Sequence, residues 1–248
     1  MLHRRMQQFV LVYFLGLLSL LLVKYLLNLS DYVIPGPVEI WQTCGAVFSR
    51  YVFSVLDTLW VAVLGHIISI ILAFLVGILG RQNSWIGSLI KAAAYNIQAY
   101  PIVAVAPIIF ILLGDGLITR LLIAVMICYF PLLLSVIGIL SEPVDSIEHF
   151  YVATKRMNWR LQVRIRAYEN INKLTTVIAG SATMAMVGTI VAEFIAADAG
   201  IGYSIRTALY QSDLSKILTA LFLIGISTSL YLTCLEWVGN VIQKKCRA

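Results

Sequence analysis

The sequence has little charge. Asp, Glu, Lys and Arg make up 12% of its 248 residues, against about 25% in a soluble domain. Apolar residues make up 60% and mean hydropathy is +0.92. A soluble chain of this size could not cover so much apolar surface, which argues against a cytosolic enzyme, a nucleic-acid-binding domain and a disordered chain. The sequence belongs in a lipid bilayer. Its net charge of +6 then reads as orientation charge on cytoplasmic loops, not as a nucleic-acid footprint.

Chemical motifs are also missing. Cys44, Cys128, Cys234 and Cys246 have no paired metal spacing, so neither disulfide nor metal is expected. Cys128 and Cys234 sit in apolar runs and read as packing residues. There is no Gly-x-x-x-x-Gly-Lys-Ser/Thr, so the chain has no phosphate-binding loop for ATP. His-Glu-x-x-His and Gly-x-Ser-x-Gly are absent, and His3, His66 and His149 are far apart. Asp57 and Glu236 fall at helix ends. Carboxylates at mid-membrane depth are lacking, which weighs against an ion-driven transporter.

Six long charge-free intervals are present: 6–23, 58–80, 92–114, 121–141, 174–192 and 217–235. Each is close to the roughly 20 residues that cross a bilayer. The expected fold class is all-α, a polytopic membrane protein of about six transmembrane helices near 6–28, 55–80, 89–113, 118–141, 174–195 and 217–240. Arg4 and Arg5 ahead of the first run could mark a signal peptide. No small-residue cleavage site follows Lys24, which favours a retained helix. With the N-terminus inside, 13 Lys and Arg residues fall on inner segments and four, Arg50, Arg120, Arg206 and Lys216, fall outside. Both termini are therefore expected in the cytoplasm.

The third run contains Pro101 and Pro107, which kink or break a helix, with Asn96, Gln98 and Tyr100 just before them. It is either a buried, kinked packing helix or a helix lining a pathway. In the fifth run Gly180, Met184 and Gly188 are four apart on one face, with Ala185 and Thr189 beside them. Such a face permits close helix contact, within the chain or near a subunit interface. Residues 142–173 are too polar to span. Val144, Ile147, Phe150 and Tyr151 make one apolar face there, Trp159 and Val163 continue at spacing four, and Arg160 and Arg164 form a neighbouring stripe. An amphipathic helix pair that docks on a membrane or a partner is expected. Glu193 ends the fifth run, where an ionisable group is either functional or simply solvated at the interface. Gly200 and Gly202 beyond it allow a turn.

Together these stretches resemble the membrane subunit of a binding-protein-dependent ABC importer, of the nitrate/taurine/aliphatic-sulfonate type. The resemblance covers roughly residues 33 to 241. It rests on Ile34-Pro-Gly-Pro37, Thr58-Leu59 with Gly65, Tyr100-Pro-Ile-Val-Ala-Val-Ala-Pro107, Leu113-Gly-Asp-Gly116, Tyr129-Phe-Pro131 with Gly138, and Val191-Ala-Glu193 with Gly200-Ile-Gly202-Tyr203. In that family the inner loop carries the EAA motif, two short helices that fit a groove on the ATPase. Here Ala153 is kept, Met157 stands where glycine is usual, and Glu169-Asn170 stands where Leu-Pro is usual.

The resemblance implies a permease working by alternating access. Its partners would be ABC ATPase subunits, a second permease copy or paralogue, an extracytoplasmic solute-binding protein and the lipid bilayer. It would hold no cofactor, with ATP and Mg in the partner ATPase. Tyr151, Ala153, Met157, Trp159, Arg160 and Arg164 are expected to couple to the ATPase. Asn96, Gln98, Tyr100, Met184 and Thr189 are expected to line the pathway. Glu193, Gly200, Gly202 and Tyr203 are expected at an outer gate or binding-protein contact. The other readings are a secondary transporter or channel, which would run without an ATPase, an intramembrane enzyme, and a non-transporting structural subunit. The implied solutes are small, such as a sulfonate, nitrate, bicarbonate or pyrimidine.

Overall fold

The protein is described by a computed structural model covering residues 2–247, with side chains for 5–144 and 147–246. The side chains of Arg4 and Arg247, counted above among the inner charges, lie outside that description. The described residues form ten helices: α1 (Leu2–Leu26), α2 (Pro37–Leu79), α3 (Ser84–Ala99), α4 (Ile102–Leu113), α5 (Leu117–Ser141), α6 (Asp145–Ala153), α7 (Trp159–Glu169), α8 (Ile171–Ile195), α9 (Gly200–Tyr210) and α10 (Leu214–Arg247).

Five of them, α1, α2, α5, α8 and α10, are long and apolar enough to cross a membrane. The third charge-free run is not one helix. It is the pair α3 and α4, bent by 87°, and counting the pair as one span gives six. The break has a local cause. Pro101 has no N–H to continue the helix, and Tyr100 before it is extended, at φ −85° and ψ 127°. Pro107 and Pro131 are accommodated inside α4 and α5. Helix α2 has 43 residues, about 65 Å at the usual rise, far more than the hydrocarbon thickness.

Helices α2, α5 and α8 form the centre. Gly188 of α8 sits on Ala124 of α5, and a Cβ there would lie 3.0 Å from the Ala124 Cα. Gly77 of α2 faces Val136 of α5 in the same way, also at 3.0 Å. Small residues at crossings let backbones approach, the main source of helix packing in lipid. Around Val136 the core is Ala73, Leu132, Leu133, Ile137 and Leu140. Helix α1 packs against α10 through Phe9, Tyr13 and Phe222, and the Phe9 ring occupies the space beside Gly225. Farther along α1, Leu15, Leu18 and Leu22 are exposed. One end of the bundle carries α6 and α7, and the opposite end carries α9.

Candidate functional site

At the α6–α7 end the expected helix pair forms. Residue 155 turns the corner: Lys155 has φ +56°, so the left-handed residue falls two places before Met157. Asn158 then caps α7, its side chain accepting from the Leu161 N–H at 2.8 Å. Asn170 closes α7 and opens α8 without proline, its Nδ2 donating to the Arg166 carbonyl at 3.0 Å. Tyr151, Met157 and Trp159 are half-buried, whereas Ala153, Arg160 and Arg164 are exposed. The Arg160 guanidinium lies 5.4 Å over the Trp159 ring. Phe150 and Val152 expose 62% and 59% of their surface.

Behind this surface is a buried ion pair. Arg166 donates from Nε to Glu148 Oε1 at 2.5 Å and from Nη2 to Oε2 at 2.8 Å. Its Nη1 reaches the Leu140 and Ser141 carbonyls at the end of α5, at 3.2 and 2.9 Å. Glu148 also takes the Val144 N–H and Gln162 Nε2. Arg81, just past α2, donates to Ser141 Oγ at 3.2 Å and Gln162 Oε1 at 3.5 Å. One network therefore joins α6 and α7 to the ends of α2 and α5. The Arg166 hydrogen bonds hold the Glu148 carboxyl down at about 2, against the opposing effect of burial. Burial, and then the nearby Arg166 charge, lower Arg81 from its ordinary value.

Midway along the bundle, His66 of α2 is fully buried between Ser181 of α8 and Tyr231 of α10. Ser181 gives its one proton to the Ile178 carbonyl, at 2.9 Å. Its oxygen therefore accepts from His66 Nε2, at 2.8 Å, leaving Nδ1 to accept from the Tyr231 hydroxyl at 2.7 Å.

At the α9 end the turn expected at Gly200 and Gly202 is the start of a helix, and Glu193 is not solvated at an interface. Glu193 has no exposed surface. Glu193 receives Arg120 Nη2, the Thr58 hydroxyl at 2.7 Å and the Gly202 N–H at 3.0 Å. Glu193, Gly200 and Gly202 thus lie inside the packing of the chain. Tyr203 is half-buried under Arg206, 5.3 Å from its ring centre, and Asp198 is exposed. Asp115 accepts the Asp198 N–H at 3.1 Å. Burial, and then the Asp198 charge, raise its carboxyl above the ordinary range.

The expected pathway residues divide. Asn96, Gln98 and Tyr100 are exposed at the end of α3, beside the break, and Met184 is 45% exposed. Thr189 is corrected: it is fully buried, with its hydroxyl on the Ala185 carbonyl at 3.0 Å. It belongs to packing within the chain. Thr176, Gly180 and Met184 repeat every four residues on one exposed face of α8. Next to that face, Thr176, Gly180, Thr183, Glu236, Asn240 and Gln243 are among the residues lining a cleft of about 510 Å³, within the range of small-molecule sites.

Residues 65–248 match the family described as the binding-protein-dependent transport system inner membrane component. The chain belongs to this family. The formylaminopyrimidine transport permease protein ThiX of Halalkalibacterium halodurans is 24% identical over 217 residues, 86% of each chain. The riboflavin transport system permease protein RibX of Chloroflexus aurantiacus is 30% identical over 145 residues, 58% of this chain and 54% of that one. A probable ABC transporter permease protein of Haemophilus influenzae is 24% identical over 230 residues, 88% of this chain and 89% of that one. The protein is thus a multi-pass inner-membrane permease component of an ABC transporter.

Sequence reasoning missed two features of the permease. Glu148 and Arg166 carried no signal beyond being charged in a basic loop, although their spacing of 18 is what two antiparallel short helices need in order to meet. His66 was set aside because no other histidine was near. Its partners are a serine and a tyrosine on other helices, and no sequence spacing shows that.

Proposed function

We propose that this permease forms the solute pathway of an importer of the nitrate/taurine/aliphatic-sulfonate type, as a dimer with a second copy or a paralogue. Both termini and the α6–α7 end face the cytoplasm. A separate ATPase, which holds ATP and Mg, docks on Phe150, Tyr151, Val152, Trp159, Arg160 and Arg164, and an extracytoplasmic binding protein delivers solute to the α9 end. The observation that carries this reading is Arg166. Buried and bidentate on Glu148, it also holds the last carbonyls of α5, so displacement of α6 pulls on a spanning helix. A local contact thereby biases a membrane core with two arrangements.

The solute class we favour is a small, neutral or weakly charged nitrogen heterocycle. Two relatives carry such solutes in their names. The exposed candidates Asn96, Gln98, Tyr100 and Met184 offer hydrogen bonds and apolar contact but no charge. The face of α8 with Thr176, Gly180 and Met184 is the proposed pathway wall.

The test is purification of the tagged chain in mild detergent with its ATPase, followed by ATP hydrolysis and uptake in proteoliposomes. Arg160→Glu/Arg164→Glu is expected to lose the ATPase or to uncouple it while the permease stays folded. A chain that purifies with no ATPase and transports along an ion gradient would overturn the reading.

A further inference from the structure

The buried pair at the α9 end does more than neutralise a charge. Helix α9 begins at Gly200, and its first N–H groups need acceptors. The Ile201 N–H finds the Thr58 hydroxyl oxygen at 2.9 Å, and the Gly202 N–H finds Glu193 Oε2 at 3.0 Å. The carboxylate of α8 therefore caps α9 across the chain, where the helix dipole favours negative charge. Thr58 of α2 links the two by accepting from α9 and donating to Glu193 at 2.7 Å. Arg120 of α5 completes the knot, joining Glu193 to Asp57 of α2 at 2.7 Å. Four helices meet at one fully buried carboxylate.

The fit leaves no slack. Gly200 has φ +87° and packs directly on the Glu193 carboxylate, a conformation and a proximity that only glycine allows. A Cβ on Gly202 would lie 2.7 Å from the Glu193 Cβ. Moving α9 away would break the Gly202 N–H bond to Glu193 and the Ile201 N–H bond to Thr58, leaving two helix N-terminal donors without acceptors and the carboxylate with Arg120 and Thr58 alone. The opposite applies to the face carrying Met184 and to α4, where Met184, Ile111 and Leu112 are exposed.

We infer that Glu193 is a positioning residue that, with Arg120 and Thr58, keeps α9 clamped to α2, α5 and α8 through the whole transport cycle, so that the permease opens at other surfaces. The inference rests on the alternating-access reading above.

Ser54 of α2 and Ser204 of α9 provide the test, since their hydroxyls are 3.4 Å apart and a cysteine pair there joins the two helices on oxidation. Ser54→Cys/Ser204→Cys is built in a chain whose four native cysteines are changed to serine, and ATP hydrolysis by the full complex is measured in nanodiscs. Turnover in the reduced complex is read first, and its absence would overturn the transport reading itself. Oxidation is expected to change turnover by less than about twofold, because α2 and α9 do not part. Arrest on oxidation, with turnover restored by reductant, overturns the clamp. In a second arm, Glu193→Ala is expected to lower turnover about tenfold, and oxidation of the same cysteine pair is expected to recover most of it. Full turnover in Glu193→Ala, or a loss that the disulfide cannot rescue, also overturns the clamp. The first arm stands even where Glu193→Ala fails to fold.

Discussion

Arg166 grips Glu148 with two nitrogens, Nε on Oε1 at 2.5 Å and Nη2 on Oε2 at 2.8 Å, while its third nitrogen holds the end of α5. A planar guanidinium can make this fork and a lysine cannot. Arg166→Lys is therefore expected to keep the charge but lose the link between α6 and α5. ATP hydrolysis should persist while uptake per ATP falls about tenfold, the range for coupling changes of one to two kcal/mol. Uptake and hydrolysis measured together in proteoliposomes check this. Unchanged coupling in the lysine variant would contradict it.

The same pair sets a pH dependence. The Glu148 carboxyl is held at about 2 in the folded chain, below its ordinary value of about 4.3. Its contribution is complete above that ordinary value and is lost as pH falls from about 4.3 toward 2. Hydrogen exchange in α6 should therefore rise across that window in the wild type. In Glu148→Gln it should already be raised at neutral pH and change little on acidification. Identical profiles for the two proteins would show that the ion pair does not hold α6.

Tyr231 donates to His66 Nδ1 at 2.7 Å deep in the bundle. Tyr231→Phe removes that donor and leaves a buried acceptor unpaired. The expected loss is about 1 kcal/mol, the scale of interhelical hydrogen bonds in membranes. A thermal unfolding series in detergent should place Tyr231→Phe below wild type, with His66→Ala lower still, because two bonds and a buried ring are lost. Equal stability for all three would show that the His66 hydrogen bonds do not hold α2 to α10.

Two glycines of α8 should behave oppositely. Gly188→Ala pushes a Cβ to 3.0 Å from the Ala124 Cα and 3.1 Å from the Ile127 Cβ, whereas a Cβ at Gly180 meets nothing within 4 Å. Gly188→Ala should destabilise the chain by about 1–3 kcal/mol through overpacking. Gly180→Ala should leave the stability of the single chain unchanged, and an effect on uptake alone would mark its face as functional. Melting temperature against uptake separates the two. Equal destabilisation would mean that Gly180 too is packed.

The amino-acid sequence by itself determined the solvent and the class, and it marked the candidate spans. Charge-free runs of bilayer length are a one-dimensional signal, because the hydrocarbon thickness imposes it on each helix separately. The amphipathic pair after α5 was legible for the same reason, since its apolar face recurs with the helix period. The break at Pro101 was legible as a kink or a break. Its 87° angle was not, because proline removes a hydrogen bond without saying where the freed chain will pack.

Tertiary structure alone decided which polar residues meet. Glu193 and Arg120 are 73 residues apart, and His66 and Ser181 are 115 apart. No local pattern relates positions on different helices. It also decided that Thr189 faces inward while Met184, five residues earlier on the same helix, faces out. A spanning helix is apolar on all sides, so its sequence shows no buried face. Only the close approach of α8 to α5 at Gly188 fixes which side of the helix meets protein.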